Sequence, residues 1–286
     1  MDWDQALILG MANGLVWGFI IALISLGLTL IFGVLRIINM AHGELYMLGA
    51  VLGWYVIQYT SSFWIALIIV PIIVSAFGYL MELVVLRKIE DKPILTIIAT
   101  VGVAMILQQL VLMTFGGAAQ RIFPPFRAII NIYGVGYDLF RVFVGGFSAV
   151  AILFLWLFLH KTRFGTWVRA VRQNKELALA VGIPTNIVYP VTFAIGAGLA
   201  SMGGVLAAPI VALDFQMGLD MVTIALMVVI IGGLGSIQGS LVAAILLAEL
   251  EGIASVFTSP TTARILQLLV MSLILFTRPQ GIFGSK

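Results

Sequence analysis

The stretch Leu35–Ala50, LRIINMAHGELYMLGA, decides how this chain is read. Arg36, Asn39, His42 and Glu44 fall within nine residues, with Gly43 and Gly49 beside them and long apolar runs on both sides. An ionisable side chain at membrane depth costs roughly 2.5–3.5 kcal/mol on insertion scales. Polar groups this dense in an apolar chain need protein, water or solute to face. Glycine lets the backbone kink or approach a neighbour closely. The stretch reads as a break or junction between helices, lining a polar path. The alternative is a cytoplasmic turn between helices, with Arg36 following the positive-inside rule.

Composition sets the class. The 286 residues are 62% hydrophobic and 9% charged, whereas a soluble domain averages about 25% charged. No soluble core hides this much apolar surface, so the expected fold is all-α, a polytopic transmembrane helix bundle. Each crossing takes about 20 apolar residues, which leaves room for about 8–9 membrane segments and no separate soluble domain. Residues 1–286 are therefore read as one transmembrane domain. The net charge of +3 does not point to nucleic acid; basic residues in such a chain mark the cytoplasmic side. With no cysteine, a disulfide framework and a Cys-based metal site are excluded. The opening MDWDQ lacks the basic region of a signal peptide, so the first apolar run is expected to be a retained helix entering from outside.

Spans are expected at about 6–33, from the central stretch to Tyr59, and at about 64–86, 94–115, 142–159, 187–208 and 262–277. Gly14 and Gly18 make a small-xxx-small packing face. Trp54, Tyr55, Tyr59 and Trp64 suggest an interfacial belt. Gln108 and Gln109 suggest interhelical hydrogen bonds or a solute contact. Residues 116–141 read as an external loop. Residues 160–186 are the most basic stretch, with helical spacing from Gly165 to Val181 and a stop at Gly182 and Pro184; they are too polar to span. Asp214 and Asp220 mark an external turn. The apolar run 221–257 is broken by GGLGSIQGS (Gly232–Ser240), leaving a first leg of about 11 residues, too short to cross alone. Either the helix continues through the glycines or it is discontinuous and buried in protein.

This layout puts Arg36, Arg87, Lys88, Lys92, Lys161, Arg163, Arg169, Arg172, Lys175, Arg278 and Lys286 on one side. Arg121, Arg127, Arg141 and Arg264 lie on the other. That bias predicts an external N-terminus and a cytoplasmic C-terminus; nine legs satisfy the parity if every leg crosses, and a re-entrant leg is the alternative.

Nothing in the sequence resembles an enzyme site. There is no HExxH and no GxSxG, and Glu249 and Glu251, two residues apart on a helix, point away from each other. There is no potassium-filter TVGYG and no GxxxxGK[ST], so nucleotide hydrolysis must come from elsewhere. A basic cytoplasmic helix without an engine points to a transmembrane subunit driven by a separate ATPase.

The run GLTLIFGVLRIINMAHGELYMLGA resembles the N-terminal signature of the branched-chain amino-acid ABC permeases, LivH type, and of the related urea and short-chain amide permeases. RAVRQNKELALAVGIPTNIVYPVTFAIGAGLASMGGVLAAP, IIGGLGSIQGSLVAAILLAELE and RPQGIFG resemble later parts of the same family. The resemblance implies a second permease subunit, identical or related, and two cytoplasmic ATP-binding subunits that carry ATP and Mg. It also implies a periplasmic solute-binding protein, the bacterial inner membrane, and no cofactor bound by this chain. A urea or amide permease and a passive small-solute channel are the rival readings. The segment from about Thr166 to Gly182 would be the coupling helix, with Arg169, Arg172, Gln173, Asn174, Glu176, Ala178 and Gly182 at the ATPase; a surface helix held by anionic lipid is its competitor. The solute path is assigned to Asn39, His42 and Glu44, with Gly232, Gly233, Gly235 and Ser236, because backbone groups freed at helix breaks can contact a zwitterion. No metal site is expected.

Overall fold

The computed structural model describes residues 3–132, 134–278 and 280–283. Its helices are α1 (Trp3–Leu35), α2 (His42–Thr60), α3 (Phe63–Met81), α4 (Pro93–Phe115), α5 (Leu139–Lys161), α6 (Arg163–Gln173), α7 (Lys175–Ala180), α8 (Thr185–Ala207), α9 (Met217–Gly232), α10 (Ile237–Phe257) and α11 (Pro260–Thr277). A two-stranded hairpin, β1 (Ile129–Ile132) and β2 (Val135–Asp138), interrupts the helices.

The bundle has two recognisable ends. At the basic end, Gly33 lies beside Arg172 and Gly235, and Lys175 reaches Glu90. At the distal end, Trp3 stacks on Phe257 and Tyr55 donates to the Thr114 carbonyl. Among the described residues six helices are long and apolar enough to cross a membrane: α1, α3 with its extension to Leu86, α4, α5, α8 and α10. α9 and most of α11 are apolar but shorter, and α2 spends its first turn on His42 and Glu44.

Small residues place α1 at the centre. A Cβ added at Gly10 would come 2.8 Å from the Gly252 carbonyl oxygen of α10, and one at Gly14 would come 3.0 Å from that of Ala248. The Gly14–Gly18 face therefore packs backbone to backbone on α10, which in lipid is a main source of helix association. On another face, Gly27 of α1 meets Gly196 of α8, where a Cβ would lie 2.6 Å from the Gly196 oxygen. α4 is a rim helix: Gly102 has open space around it, and among the described residues neither Gln108 nor Gln109 makes an interhelical hydrogen bond, one of the two roles the sequence suggested. α3 ends in a π-helical segment, Glu82–Leu86, which rotates the chain so that Arg87 donates to the Asn186 carbonyl at 2.6 Å while facing the buried Glu82 at 3.6 Å.

Several expectations need correction. The loop 116–141 contains the hairpin, closed around Gly134 at φ 83°, so the fold is not purely helical. The basic helix is two helices, because Asn174 is extended (φ −155°, ψ 112°) and turns its side chain to cap α7. The helix at 221–257 does break, at Gly233–Ser236, but α9 starts earlier than expected, at Met217. The segment after α11 packs on the break: Ile282 N–H donates to the Ile231 carbonyl (2.7 Å) and Phe283 N–H to that of Gly232 (3.2 Å). Lys286, counted above with the basic side, lies outside the described residues.

Candidate functional site

The central stretch folds as a re-entrant junction. α1 ends at Leu35, and Arg36 takes a left-handed conformation (φ 54°), which non-glycine residues adopt only where surroundings demand it. The chain then runs back up the bundle. Met40 N–H donates to Thr100 Oγ1 (3.2 Å), and the buried Asn39 accepts from Ala41 N–H (3.1 Å). α2 starts only at His42, whose Nε2 lies 2.9 Å from the Ile24 carbonyl oxygen. A carbonyl only accepts, so the proton sits on Nε2. Ile24 is nine residues before Gly33, so the junction lies about 14 Å from the basic end of α1.

α2 and α9 meet there through glycine. A Cβ on Gly43 would strike the Gly218 carbonyl and come 2.8 Å from Val222; one on Gly218 would come 2.7 Å from the Glu44 carboxyl carbon. The first turns of α2 and α9 thus face each other, with Glu44 buried between them. A carboxylate beside a helix N-terminus is favoured by the helix dipole. Among the described residues, one Glu44 oxygen, the second His42 nitrogen and the Asn39 amide nitrogen have no hydrogen-bond partner. These are the unspent polar groups of the junction.

Towards the distal end opens a cavity of about 470 Å³. Tyr46, one half-turn from Glu44, and Met217, next to Gly218, belong to its wall. Its charged lining is Arg141, Arg264, Asp214, Asp220 and Glu251. Arg141 is fixed by Asn13 of α1, whose Oδ1 accepts from Arg141 (2.6 Å) and from the Tyr137 hydroxyl (3.1 Å). Asp214 accepts from Gln216 N–H at 2.7 Å. Among the described residues none of the five is in an ion pair within 4.0 Å. Charges of both signs, mutually unpaired around a small space with Trp17, Ile21 and Met221 beside them, suit a zwitterion with an apolar side chain.

The remaining sequence candidates divide into two groups at the basic end. Gly235 and Ser236 share a cavity of about 230 Å³ with Arg169 and Arg172. Gly232 and Gly233 are packed against Gly239 and Gly281. Gln173, Asn174 and Glu176 line a polar cleft of about 440 Å³ together with Arg36, Glu90 and Asp91. Ala178 faces inward and is buried, while Leu177, Leu179 and Val181 of the same short segment are exposed. Gly182 sits at φ 81° with open space around it, so backbone conformation, not crowding, requires glycine there. Asn39, His42 and Glu44 form one cluster; Gly232–Ser236 form another, nearer the basic end.

The family model for the branched-chain amino acid transport system permease component matches residues 10–275. The chain belongs to that permease family. It is 28% identical to the high-affinity branched-chain amino acid transport permease LivH of Salmonella typhimurium, over 96% of this chain and 94% of that protein. It is also 28% identical to the corresponding BraD of Pseudomonas aeruginosa, over 96% and 94%. A weaker relative is the xylose/arabinose import permease XylH of Sulfolobus acidocaldarius, 28% identical over 54% of this chain and 44% of that protein. No solved structure matches. The permease is a multi-pass integral membrane protein.

Sequence reasoning missed the permease's distal cavity. Arg141, Arg264, Asp214 and Asp220 served only as markers of side, and Glu251 was set aside because it pairs with nothing on its own helix. One signal was available: Asn13, an amide in the apolar run of α1, which needed a polar partner from another segment. Glu249, two residues before Glu251, lies against Gly14, itself part of the cavity wall.

Proposed function

We propose that this permease is the membrane subunit of an ATP-driven importer for branched-chain or other neutral amino acids in the bacterial inner membrane. The observation that carries the proposal is the family match from residue 10 to 275, with relatives matched over 94% of their own length. The distal cavity supports it, because carboxylates and guanidinia around an apolar wall fit the two charges and the side chain of such a solute. In this reading nine legs, α1–α5 and α8–α11, cross with the N-terminus outside and the C-terminus in the cytoplasm. A periplasmic binding protein delivers solute to the distal cavity. A second permease, identical or related, completes the path. Asn39, His42 and Glu44 form the gate under the cavity, and the turn Gly232–Ser236 borders the exit.

Two cytoplasmic subunits bind ATP and Mg and act on α6 and α7. The exposed Leu177, Leu179 and Val181 supply the apolar docking surface, and Arg172, Gln173 and Glu176 surround it. The sugar-permease relative favours a second reading, import of an uncharged solute such as urea, an amide or a sugar. The five unpaired charges in the cavity weigh against it, since an uncharged solute leaves them uncompensated.

The test is reconstitution into liposomes with the ATP-binding subunits and the binding protein. Leucine should accumulate only with ATP inside. Equilibration of leucine by the chain alone, without ATP, would show a passive channel and overturn the proposal.

A further inference from the structure

The cavity of about 230 Å³ at the basic end has one-sided chemistry. It is enclosed by α1, the end of α5, α6 and the turn into α10. Arg169, Arg172 and Gln238 are among its lining residues. Arg169 is fixed: it donates to the Leu159 carbonyl and, at 3.3 Å, to Thr166 Oγ1. The Arg172 stem runs along Gly33, where its Cδ would lie 3.6 Å from an added Cβ. No aspartate or glutamate lines the cavity, and among the described residues neither arginine is in an ion pair. Two arginines in the lining of a small space that has no acidic lining residue among those described raise its potential and favour an anion there.

The rest of the wall is apolar, including Leu30, Val34, Leu159 and Val168, with Trp156 stacked on His160 at 4.5 Å. A ligand that satisfies both parts carries one carboxylate for the guanidinium forks and a short aliphatic body for the wall. An ammonium group on that ligand would face both arginines with no carboxylate to balance it. The distal cavity, with its three acids, differs on this point.

We propose that this cavity binds a small aliphatic carboxylate lacking an amino group, of the 2-oxo acid class. In such a ligand the ketone oxygen replaces the ammonium and accepts from the Gln238 amide. A transamination of a neutral amino acid is the class of reaction that yields such a compound. The proposal concerns binding to this chain and stands whichever solute is transported.

The experiment uses the full chain in nanodiscs of phosphatidylcholine. Calorimetry measures binding of 4-methyl-2-oxopentanoate, leucine and inorganic phosphate. The oxo acid should bind saturably and at least tenfold tighter than either of the others. Arg172→Gln should weaken it at least tenfold, and Arg172→Lys, which keeps the charge and loses the fork, by an intermediate factor. Phosphatidylglycerol added to the nanodisc should leave binding unchanged. Equal or tighter binding of leucine would overturn the exclusion of an amine. Equal binding of phosphate, or displacement by phosphatidylglycerol, would show a general phosphate site instead. Unchanged binding in both arginine variants would place the ligand elsewhere.

Discussion

α1 and α4 are both long and apolar enough to span a membrane, yet 83% of the apolar window of α1 is buried in the bundle and only 22% of that of α4. Hydropathy does not separate them, because lipid and protein interior are equally apolar. The distribution of glycine does. α1 brings Gly10, Gly14, Gly18 and Gly27 against backbone of α8 and α10, whereas the one glycine of α4, Gly102, touches nothing within 4 Å. In a membrane the centre of a bundle is set by where backbones can touch.

The strongest way to break this comparison is to give both helices the same side chain. Gly27→Leu drives a Cβ to 2.6 Å from the Gly196 oxygen and 3.2 Å from the His42 ring. Neither backbone can yield easily, so destabilisation of about 3 kcal/mol is expected. Gly102→Leu should change stability by less than about 0.5 kcal/mol. Thermal unfolding of both variants in detergent checks the pair. Equal melting shifts would remove the argument that glycine contacts fix the centre.

The same contrast shows what could be read in advance. The six long apolar helices and the polar stretch at Leu35–Ala50 were legible because apolar length and polar density are local properties; the glycine-rich interruption at Gly232–Ser240 was visible, but a continuous and a broken helix both fitted it. Asn174 was not: an asparagine inside a helical pattern is tolerated until its side chain caps the next turn, and only the structure shows that it does. The hairpin was hidden because four-residue strands carry too little periodicity to stand out in a loop. The distal cavity was hidden for a different reason. Asn13, Arg141, Asp214, Glu251 and Arg264 come from five separated segments, and no local pattern announces that they converge.

Next in size is the contrast between the two ends. At the distal end, Arg141→Gln removes a charge-assisted contact, and such contacts are worth about 1.5–3 kcal/mol. Solute affinity should fall roughly 10- to 100-fold, with binding-protein docking and ATP hydrolysis unchanged. Asn13→Ala, which only frees Arg141, should do less. Uptake titrations with leucine check both. An Arg141→Gln permease with unchanged half-saturation would remove this cavity from the path.

A smaller effect is expected on α7. Ala178 is buried and Gly182 holds φ 81°. Gly182→Val forces a side chain into the left-handed region at about 1–2 kcal/mol, and Ala178→Glu buries a charge. Both should lower uptake per ATP hydrolysed while the permease still assembles. Measuring transport and hydrolysis together separates this from simple misfolding. Full coupling in both variants would mean that the ATP-binding subunits act elsewhere.

The smallest effect sharpens how the basic end is joined to the bundle. Lys175, the first residue of α7, donates to Glu90 at 3.1 Å, lies 3.8 Å from Asp91 and sits 5.5 Å from the Tyr189 ring centroid. Partial burial pulls the lysine pKa down. The hydrogen bond to Glu90, the Tyr189 interaction and the Glu90 and Asp91 charges outweigh that and leave it above the ordinary lysine value. A group raised in the folded state contributes fully below its unfolded pKa and loses its contribution as pH rises through the folded one. The link should therefore be unchanged between pH 6 and 9, about where lysine stays protonated, and weaken only above the ordinary lysine range. Exposed pairs of this kind are worth about 0.2–1 kcal/mol, so Lys175→Glu should hardly move the melting temperature. Its effect should show in coupling, because α7 then loses its tether to the 87–92 loop and to α8. Lys175→Glu combined with Glu90→Lys restores the attraction with the signs exchanged and should recover much of the lost uptake per ATP. If the double variant is no better than the single one, α7 moves independently of that loop, and on the proposed ATP-driven reading coupling at the basic end must enter through α6 and the cavity wall beside Gly235.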